Sequence, residues 1–458
     1  MKKQLAIKNI NDFVYGKAPL PVTCGRGVVI GGGEVVPEIN FTLPPMTIND
    51  TTWQQVRIEY QDMIDGVLER AIHLKVPQLL VEFETLPEMT NNYQWGLEIN
   101  KLLADAMDKA YNKHGLKSAL RLTINDVREF SRPPIMRSGK YWEAMLKFME
   151  QGADYGADII SIESTGGKEI CDEALISADI NTVIFALGVL GARDMDFLWG
   201  NIVDICKKTS IVAGGDTACG FANTAMVLAD RKMIPSVFAA MVRVISAPRS
   251  LVAITKGATG PTKDCGYEGV FLKAISGVPI SLEGRSAACA HLSPVGNISS
   301  AVCDCWSNES VQNVRLLSVN APIVSMEQLA YDCRLMNTAK KSSLNSALDL
   351  RDWLTDSDAA YDPQAYVLRP DVVLEISEKI IQYDSPYRQT VEAANATLDI
   401  LKKAPESRLK LTDNDRKWLN IISMQLETIP DTEESLIEQM LSRGDIKDKF
   451  LPQEYGIG

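Results

Sequence analysis

Ile159-Ile-Ser-Ile-Glu163, running directly into Ser164-Thr-Gly-Gly167, is a short apolar strand that ends on a carboxylate and a glycine turn. Strands of this kind, apolar on both faces and stopped by glycine, belong to a parallel sheet covered on both sides. Upstream, Tyr141–Tyr155 has helical spacing and Leu120–Ile124 is another apolar run. Before them come a helix at Tyr93–His114, closed by Gly115, and a strand at Leu79–Phe83. Downstream the alternation continues with helix Cys171–Ser177, strand Val183–Leu187, helix Phe197–Lys207 and strand Ile211–Ala213. A long helical stretch, Asn223–Ile245, leads to strand Leu251–Thr255, helix Tyr267–Ile275 and strand Pro279–Leu282. Helical material after Pro294 and an eighth strand near Ile323–Ser325 complete the series. The expectation is an α/β fold, a TIM (β/α)8 barrel over residues 51–340. An irregular Gly- and Pro-rich N-terminal arm, 1–50, precedes it, and a C-terminal helical extension, 341–458, follows with charged helices at Asp371–Ile381, Tyr387–Lys403 and Glu433–Arg443.

With 458 residues, 46% hydrophobic and 23% charged, the chain can bury a large core. A net charge of −12 without a basic stripe argues against nucleic acid as a partner. Met1-Lys-Lys-Gln-Leu-Ala-Ile-Lys-Asn9 is too short in apolar residues for a signal peptide. No run approaches the ~20 apolar residues of a membrane span. The longest, Met226–Val244, is broken by Asp230, Arg231, Lys232 and Pro235 and reads as buried helices. Nine cysteines, an odd number scattered along the chain, are expected to be reduced thiols of a cytoplasmic protein. Gly25-Arg-Gly-Val-Val-Ile-Gly-Gly-Gly33 lacks the Lys-Ser/Thr ending of a phosphate loop, so turns and close backbone packing are its expected use.

The carboxyl ends of the strands in such a barrel form one functional face. Glu163 is placed there with Cys219, in Gly214-Gly-Asp-Thr-Ala-Cys219-Gly220, and Cys265, in Gly260-Pro-Thr-Lys-Asp-Cys265-Gly266. One carboxylate and two thiols make a zinc site with three protein ligands and an open fourth position, which is catalytic coordination. Cys219 just precedes a helix, where thiolate is favoured. The plainer alternatives are a solvated loop carboxylate and inert buried thiols. Cys171 and Cys206 fall on helices and read as small hydrophobes. Cys303 and Cys305 are two apart on an expected helix and do not share a face, which argues against their binding one metal together. Cys24, Cys289 and Cys333 have no partner signal. His73 and His114 sit on helices, whereas His291, after the seventh strand, is within reach of the mouth. Glu84, Asp126, Asp216, Asp264 and Glu283 are the acidic groups near the same face, with Asp216 and Asp264 as candidate proton donors.

Thr23-Cys-Gly-Arg-Gly-Val-Val-Ile-Gly-Gly-Gly33, Gly214-Gly-Asp-Thr-Ala-Cys-Gly-Phe-Ala-Asn223 and Gly260-Pro-Thr-Lys-Asp-Cys-Gly-Tyr-Glu268 carry a resemblance. It covers nearly the whole chain, which resembles the methanol:corrinoid methyltransferases, zinc subunits of the methanol-specific systems of methanogens and acetogens. The resemblance implies one zinc per chain, held by Glu163, Cys219 and Cys265 at the mouth of a TIM barrel. It also implies methanol as substrate, a separate corrinoid carrier protein as methyl acceptor, and a homodimer. No Asp-x-His-x-x-Gly signature surrounds any of the three histidines, so the corrinoid is expected to come with the partner. Other readings are a similar methyltransferase with another small methyl donor, a zinc hydrolase, or a non-catalytic scaffold for a corrinoid protein. Three histidines suit a hydrolytic zinc site poorly.

Overall fold

The structure, a computed structural model, describes residues 4–41, 46–263, 266–283, 310–315 and 320–458. An antiparallel hairpin, β1 (Lys17–Cys24) and β2 (Val28–Gly32), precedes the first barrel strand, β3 (Val36–Phe41). Then follow α1 (Trp53–His73), β4 (Gln78–Glu84), α2 (Pro87–Asn91), α3 (Tyr93–His114), β5 (Lys117–Asn125), α4 (Gly139–Gly152) and β6 (Ile159–Glu163). The chain continues through α5 (Lys168–Ser177), α6 (Ile180–Ile184), a π-helical segment Phe185–Gly191, α7 (Ala192–Thr209), β7 (Val212–Asp216), α8 (Cys219–Asp230) and α9 (Ser236–Lys256). α10 (Gly269–Ser276), β8 (Ser281–Glu283) and β9 (Ser310–Arg315) complete this part, followed by a helix at Asn320–Ser342.

Seven strands pair in parallel in the order β7-β6-β5-β4-β3-β9-β8. Residues 259–262 close the ring. Thr259 N donates to Ala213 O of β7 (2.9 Å), and Thr262 bridges in parallel to Ile280, just before β8. The result is an eight-stranded parallel barrel with helices outside, as expected from the alternation.

Three of the eight expected strands lie elsewhere. Val183–Leu187 is helical, in α6 and the π-helical segment, and Leu251–Thr255 is the last part of α9. Val183–Leu187 is fully buried, as is Leu251–Ala253 with the helix before it, and there a helix loses its polar stripe and a short apolar run looks like a strand. Ile323–Ser325 lies inside helix Asn320–Ser342, and the eighth strand is β9. The first strand, β3, falls in the segment expected to be an irregular arm, so the barrel begins before residue 51. Its sequence, Val36-Pro-Glu-Ile-Asn-Phe41, hides it: the fully buried Glu38 and Asn40 are polar where a buried strand was expected to be apolar. The long stretch Asn223–Ile245 is split between α8 and α9.

The β1–β2 hairpin seals the lower end of the barrel. Cys24, Val28 and Ile30 pack with Val36, Leu80, Ala119 and Ile159 in one apolar cluster. Gly25 turns the hairpin at φ +50°, and a Cβ there would lie 2.6 Å from Ser118 O. The glycine-rich segment therefore serves turns and close packing. Beyond the barrel, helix Pro386–Lys403 lies along α9, with helices Pro370–Ile380 and Asp413–Leu426 against it, and helix Glu433–Ser442 packs on the π-helical segment. The final residues return to the loops above the strands. Glu454 Oε2 accepts from Met136 N (2.9 Å) and Arg137 N (2.7 Å), and Tyr455 Oη accepts from Gly167 N (3.2 Å).

Candidate metal centre

The barrel interior becomes more polar from the sealed end upward. Above the apolar plug, the guanidinium of Arg121 donates to Glu38 (2.7 Å), Ser161 Oγ (2.8 Å) and Pro261 O (2.8 Å), all out of water. Ser281 Oγ donates to the same Glu38 carboxylate (2.6 Å). Four strands and the closing segment 259–262 are thus joined by one buried ion pair, with most of its hydrogen-bonding capacity used.

One layer higher, at the carboxyl ends of the strands, Glu163 projects from the end of β6. Its side chain is 29% exposed, and Lys263 Nζ lies 3.1 Å from Oε1. The same ammonium is 3.0 Å from Glu82 Oε1 and 3.9 Å from Glu84 Oε2. Thr123 Oγ1 donates to Glu82 (2.5 Å) and Asn40 Nδ2 to Glu84 (2.8 Å). Burial, with Glu84 and Glu82 close by, pushes the Glu163 carboxyl up to about 7 against the opposing pull of Lys263. Three carboxylates facing one ammonium leave this pocket anionic, although among the described residues no three His, Cys, Asp or Glu side chains are grouped to hold a metal ion.

Cys219 is the first residue of α8, half-buried, and receives Asn223 Nδ2 at 3.3 Å. The preceding turn is tied down from two sides. Ala218 N donates to Glu268 Oε1 (2.6 Å), which also accepts from Ser250 Oγ (2.7 Å), and Thr217 Oγ1 accepts from Gly266 N (3.1 Å). Arg243 Nη1 holds Gly266 O at 2.7 Å. Cys265 and Asp264 lie outside the described residues, as do Cys289, Cys303, Cys305 and His291. Their flanks are described: Lys263 reaches Glu163 on β6, and Gly266 reaches the turn before Cys219.

Cys219 is disulfide-bonded in the structure, against the expectation of reduced thiols throughout. Once reduced, its thiolate at a helix start and the Glu163 carboxylate are zinc-type donors by chemistry. Asp216, the last residue of β7, is fully buried behind the β6 loop. It accepts from Trp199 Nε1 (3.0 Å), Ser164 N (3.3 Å) and Arg249 Nη1 (3.4 Å), which engage both of its oxygens. Asp126 is buried against Arg128 and accepts from Thr165 N (2.9 Å). Cys171 and Cys206 are buried thiols on α5 and α7, and burial pushes Cys206 up to about 12, as befits inert packing residues. His73 and His114 stand at the C-terminal ends of α1 and α3, which lead into strand starts at the opposite end of the barrel.

Lys263, Glu82, Glu268 and Arg249 were not singled out from the sequence. For Glu82 a signal existed: with Glu84 it occupies alternate positions of β4, so both point the same way. The others depend on contacts across the fold.

Residues 1–456 match the family model of the methanol-cobalamin methyltransferase B subunit, MtaB. The methanol–corrinoid protein co-methyltransferase of Methanosarcina barkeri (strain Fusaro / DSM 804) is 36% identical over 458 residues, covering 99% of this chain and 98% of that protein. The crystal structure of the methanol:cobalamin methyltransferase complex MtaBC from Methanosarcina barkeri includes a chain that superposes with a TM-score of 0.93 at 33% identity, covering 99% of both chains. On full-length sequence and fold alike, the chain belongs to the methanol-cobalamin methyltransferase B subunit family.

Proposed function

We propose that this chain is the methanol-activating subunit of a methyltransferase. It holds one zinc through Glu163, Cys219 and Cys265 and passes the methyl group of methanol to the Co(I) corrinoid of a separate carrier protein. The observation that carries this reading is the anionic pocket at the barrel mouth, where Glu163 meets Lys263, Glu82 and Glu84, in a chain matched along its whole length to this family. Zinc, when bound, supplies Lewis-acid polarisation of the C–O bond of the alcohol. Lys263 lies within 4 Å of Glu82, Glu84 and Glu163 and offsets part of their charge, and a metal on Glu163 would take over the place of that ammonium. Arg121 and Glu38 form a rigid polar floor beneath, and the sealed lower end keeps water from reaching the pocket that way. Asp264 and Asp216 remain the proposed proton sources, Asp264 for its place beside Cys265. A homodimer carrying one corrinoid protein on each subunit is the proposed assembly.

Metal analysis of the purified protein tests the site. About one zinc per chain is expected, falling to a small fraction in Glu163→Gln, Cys219→Ala and Cys265→Ala with the fold retained. Zinc content unchanged in all three variants refutes the ligand set. The activity is tested by mixing protein, methanol and carrier-bound Co(I) corrinoid and following the visible spectrum. No methanol-dependent methylation by the zinc-loaded protein refutes the reaction.

A further inference from the structure

We infer that Arg249 is a positioning residue that holds the Glu163 loop and the Cys219 turn in register with each other. The inference rests on the zinc reading above and adds a residue to it. Arg249 lies on α9, outside the barrel, and is fully buried. Its Nη2 donates to both Ser164 O and Ser164 Oγ at 2.6 Å, gripping the residue that follows Glu163. Its Nη1 reaches Asp216 Oδ1 at 3.4 Å, at the end of the strand that leads to Cys219. The guanidinium also lies over the ring of Phe221, two residues past Cys219, at 4.8 Å from the centroid. One planar group therefore touches the flanks of both donors. Asp216 completes the clamp by accepting from Ser164 N (3.3 Å), which links the two strand ends directly.

The surroundings fit such a role. Trp199 Nε1 fixes the second oxygen of Asp216 at 3.0 Å, and a Cβ on Gly191 would lie 3.1 Å from Arg249 Cδ, so glycine leaves room for the side chain. A planar fork can serve the carbonyl, the hydroxyl and the carboxylate at once, whereas an ammonium on a shorter reach cannot. Groups that orient metal ligands without touching the metal typically change its affinity by roughly 10- to 100-fold when removed.

Competition for zinc against a chromophoric chelator, with zinc alone as the probe, tests the inference alongside thermal melts. Arg249→Lys is expected to stay folded and to bind zinc roughly 10- to 100-fold more weakly. A core variant remote from the site, Ile376→Ala, is expected to lower the melting temperature without changing zinc affinity. If Arg249→Lys does not fold, Ser164→Ala decides, with an expected weakening of roughly three- to tenfold at a near-native melting temperature. Folded Arg249→Lys with wild-type zinc affinity overturns the inference and leaves the zinc site standing. So does unchanged affinity in Ser164→Ala where that variant decides. A wild-type protein that takes up no zinc overturns both. Asp216→Asn separates the roles of that residue: weakened zinc binding without methanol marks the clamp, whereas intact zinc binding with slowed methylation marks a proton donor and removes Asp216 from it.

Discussion

Arg128→Met strikes the most charged spot beneath the Glu163 loop. Every donor of Arg128 is used: Nε and Nη2 go to Asp126 (2.8 and 2.7 Å), Nη1 and Nη2 to Asp194 (2.8 and 2.9 Å), and Nη1 also to Met136 O (2.9 Å). All three side chains are out of water. Removing one partner of a buried pair costs about 3–5 kcal/mol, and here two carboxylates lose their counter-ion together, which argues for at least ~5 kcal/mol. Unfolding entropy near 2.1 cal/mol/K per residue gives roughly 1 kcal/mol/K for a chain of this length, so the melting temperature should fall by about 5 °C. The deficit should also depend on pH. In the native protein burial favours the protonated form of Asp126, but the charge and hydrogen bonds of Arg128 outweigh it and hold the carboxyl below its ordinary value. Asp194 stays raised by burial in spite of Arg128. Without the guanidinium, burial and mutual repulsion raise both carboxyls. The folded state then binds protons more tightly than the unfolded chain, and stability recovers as pH falls toward ~4. Thermal melts from pH 5 to 8 measure this, and the triple variant Asp126→Asn/Arg128→Met/Asp194→Asn should regain most of the loss. A melting temperature within ~1 °C of wild type at pH 7.5, or a deficit that grows on acidification, refutes the reasoning.

Gly166→Ala places a Cβ 2.4 Å from Asp194 Cβ, so a loss of about 1–3 kcal/mol and weaker zinc binding are expected; a fully wild-type melt argues against the close approach. Asp362, which caps the helix Pro363–Tyr366 through Gln364 N, is pushed up to about 6 by burial, ahead of that hydrogen bond. Its folded value exceeds the unfolded one, so stability falls as pH rises through the window up to about 6, and the loss persists above it. Asp362→Asn keeps the cap and should raise stability at pH 7.5 by up to ~2 kcal/mol with little change at pH 4; equal effects at the two pH values exclude it. Tyr455→Phe removes the acceptor for Gly167 N and should cost about 1 kcal/mol in calorimetry, while no change would mean that water replaces the bond.

Glu163 and Cys219 were legible because each ends or follows a strand with a strong local signature, Ile159-Ile-Ser-Ile162 and Gly214-Gly215. Strand β3 was not, because its inward residues answer to Arg121 and Glu84, partners 83 and 44 positions away, and not to a local apolar pattern. The second half of α9 failed for another reason: it is buried on nearly every side up to Ala253, its polar Arg249 and Ser250 included, so no solvent-facing stripe marks the helical period. The family resemblance named a proposed ligand trio, but the residues that hold the loop after Glu163 are spread through the chain. Arg249 meets Ser164 across 85 positions, and Tyr455 meets Gly167 across 288. Such pairings exist only once the barrel has closed.

Among the described residues, the hairpin plug makes this barrel a vessel closed at its floor. Cys24, Val28 and Ile30 stop its floor, so whatever reaches Glu163 along the barrel axis comes through the mouth and leaves the same way. In the reaction proposed above, a carrier seated on the mouth would also be a stopper. The alcohol would have to arrive before it or beneath its edge, and the water formed would have to wait for it to lift. Traffic through that doorway would impose an order on arrivals and departures, and the rate of each turnover would depend on how quickly the stopper comes and goes.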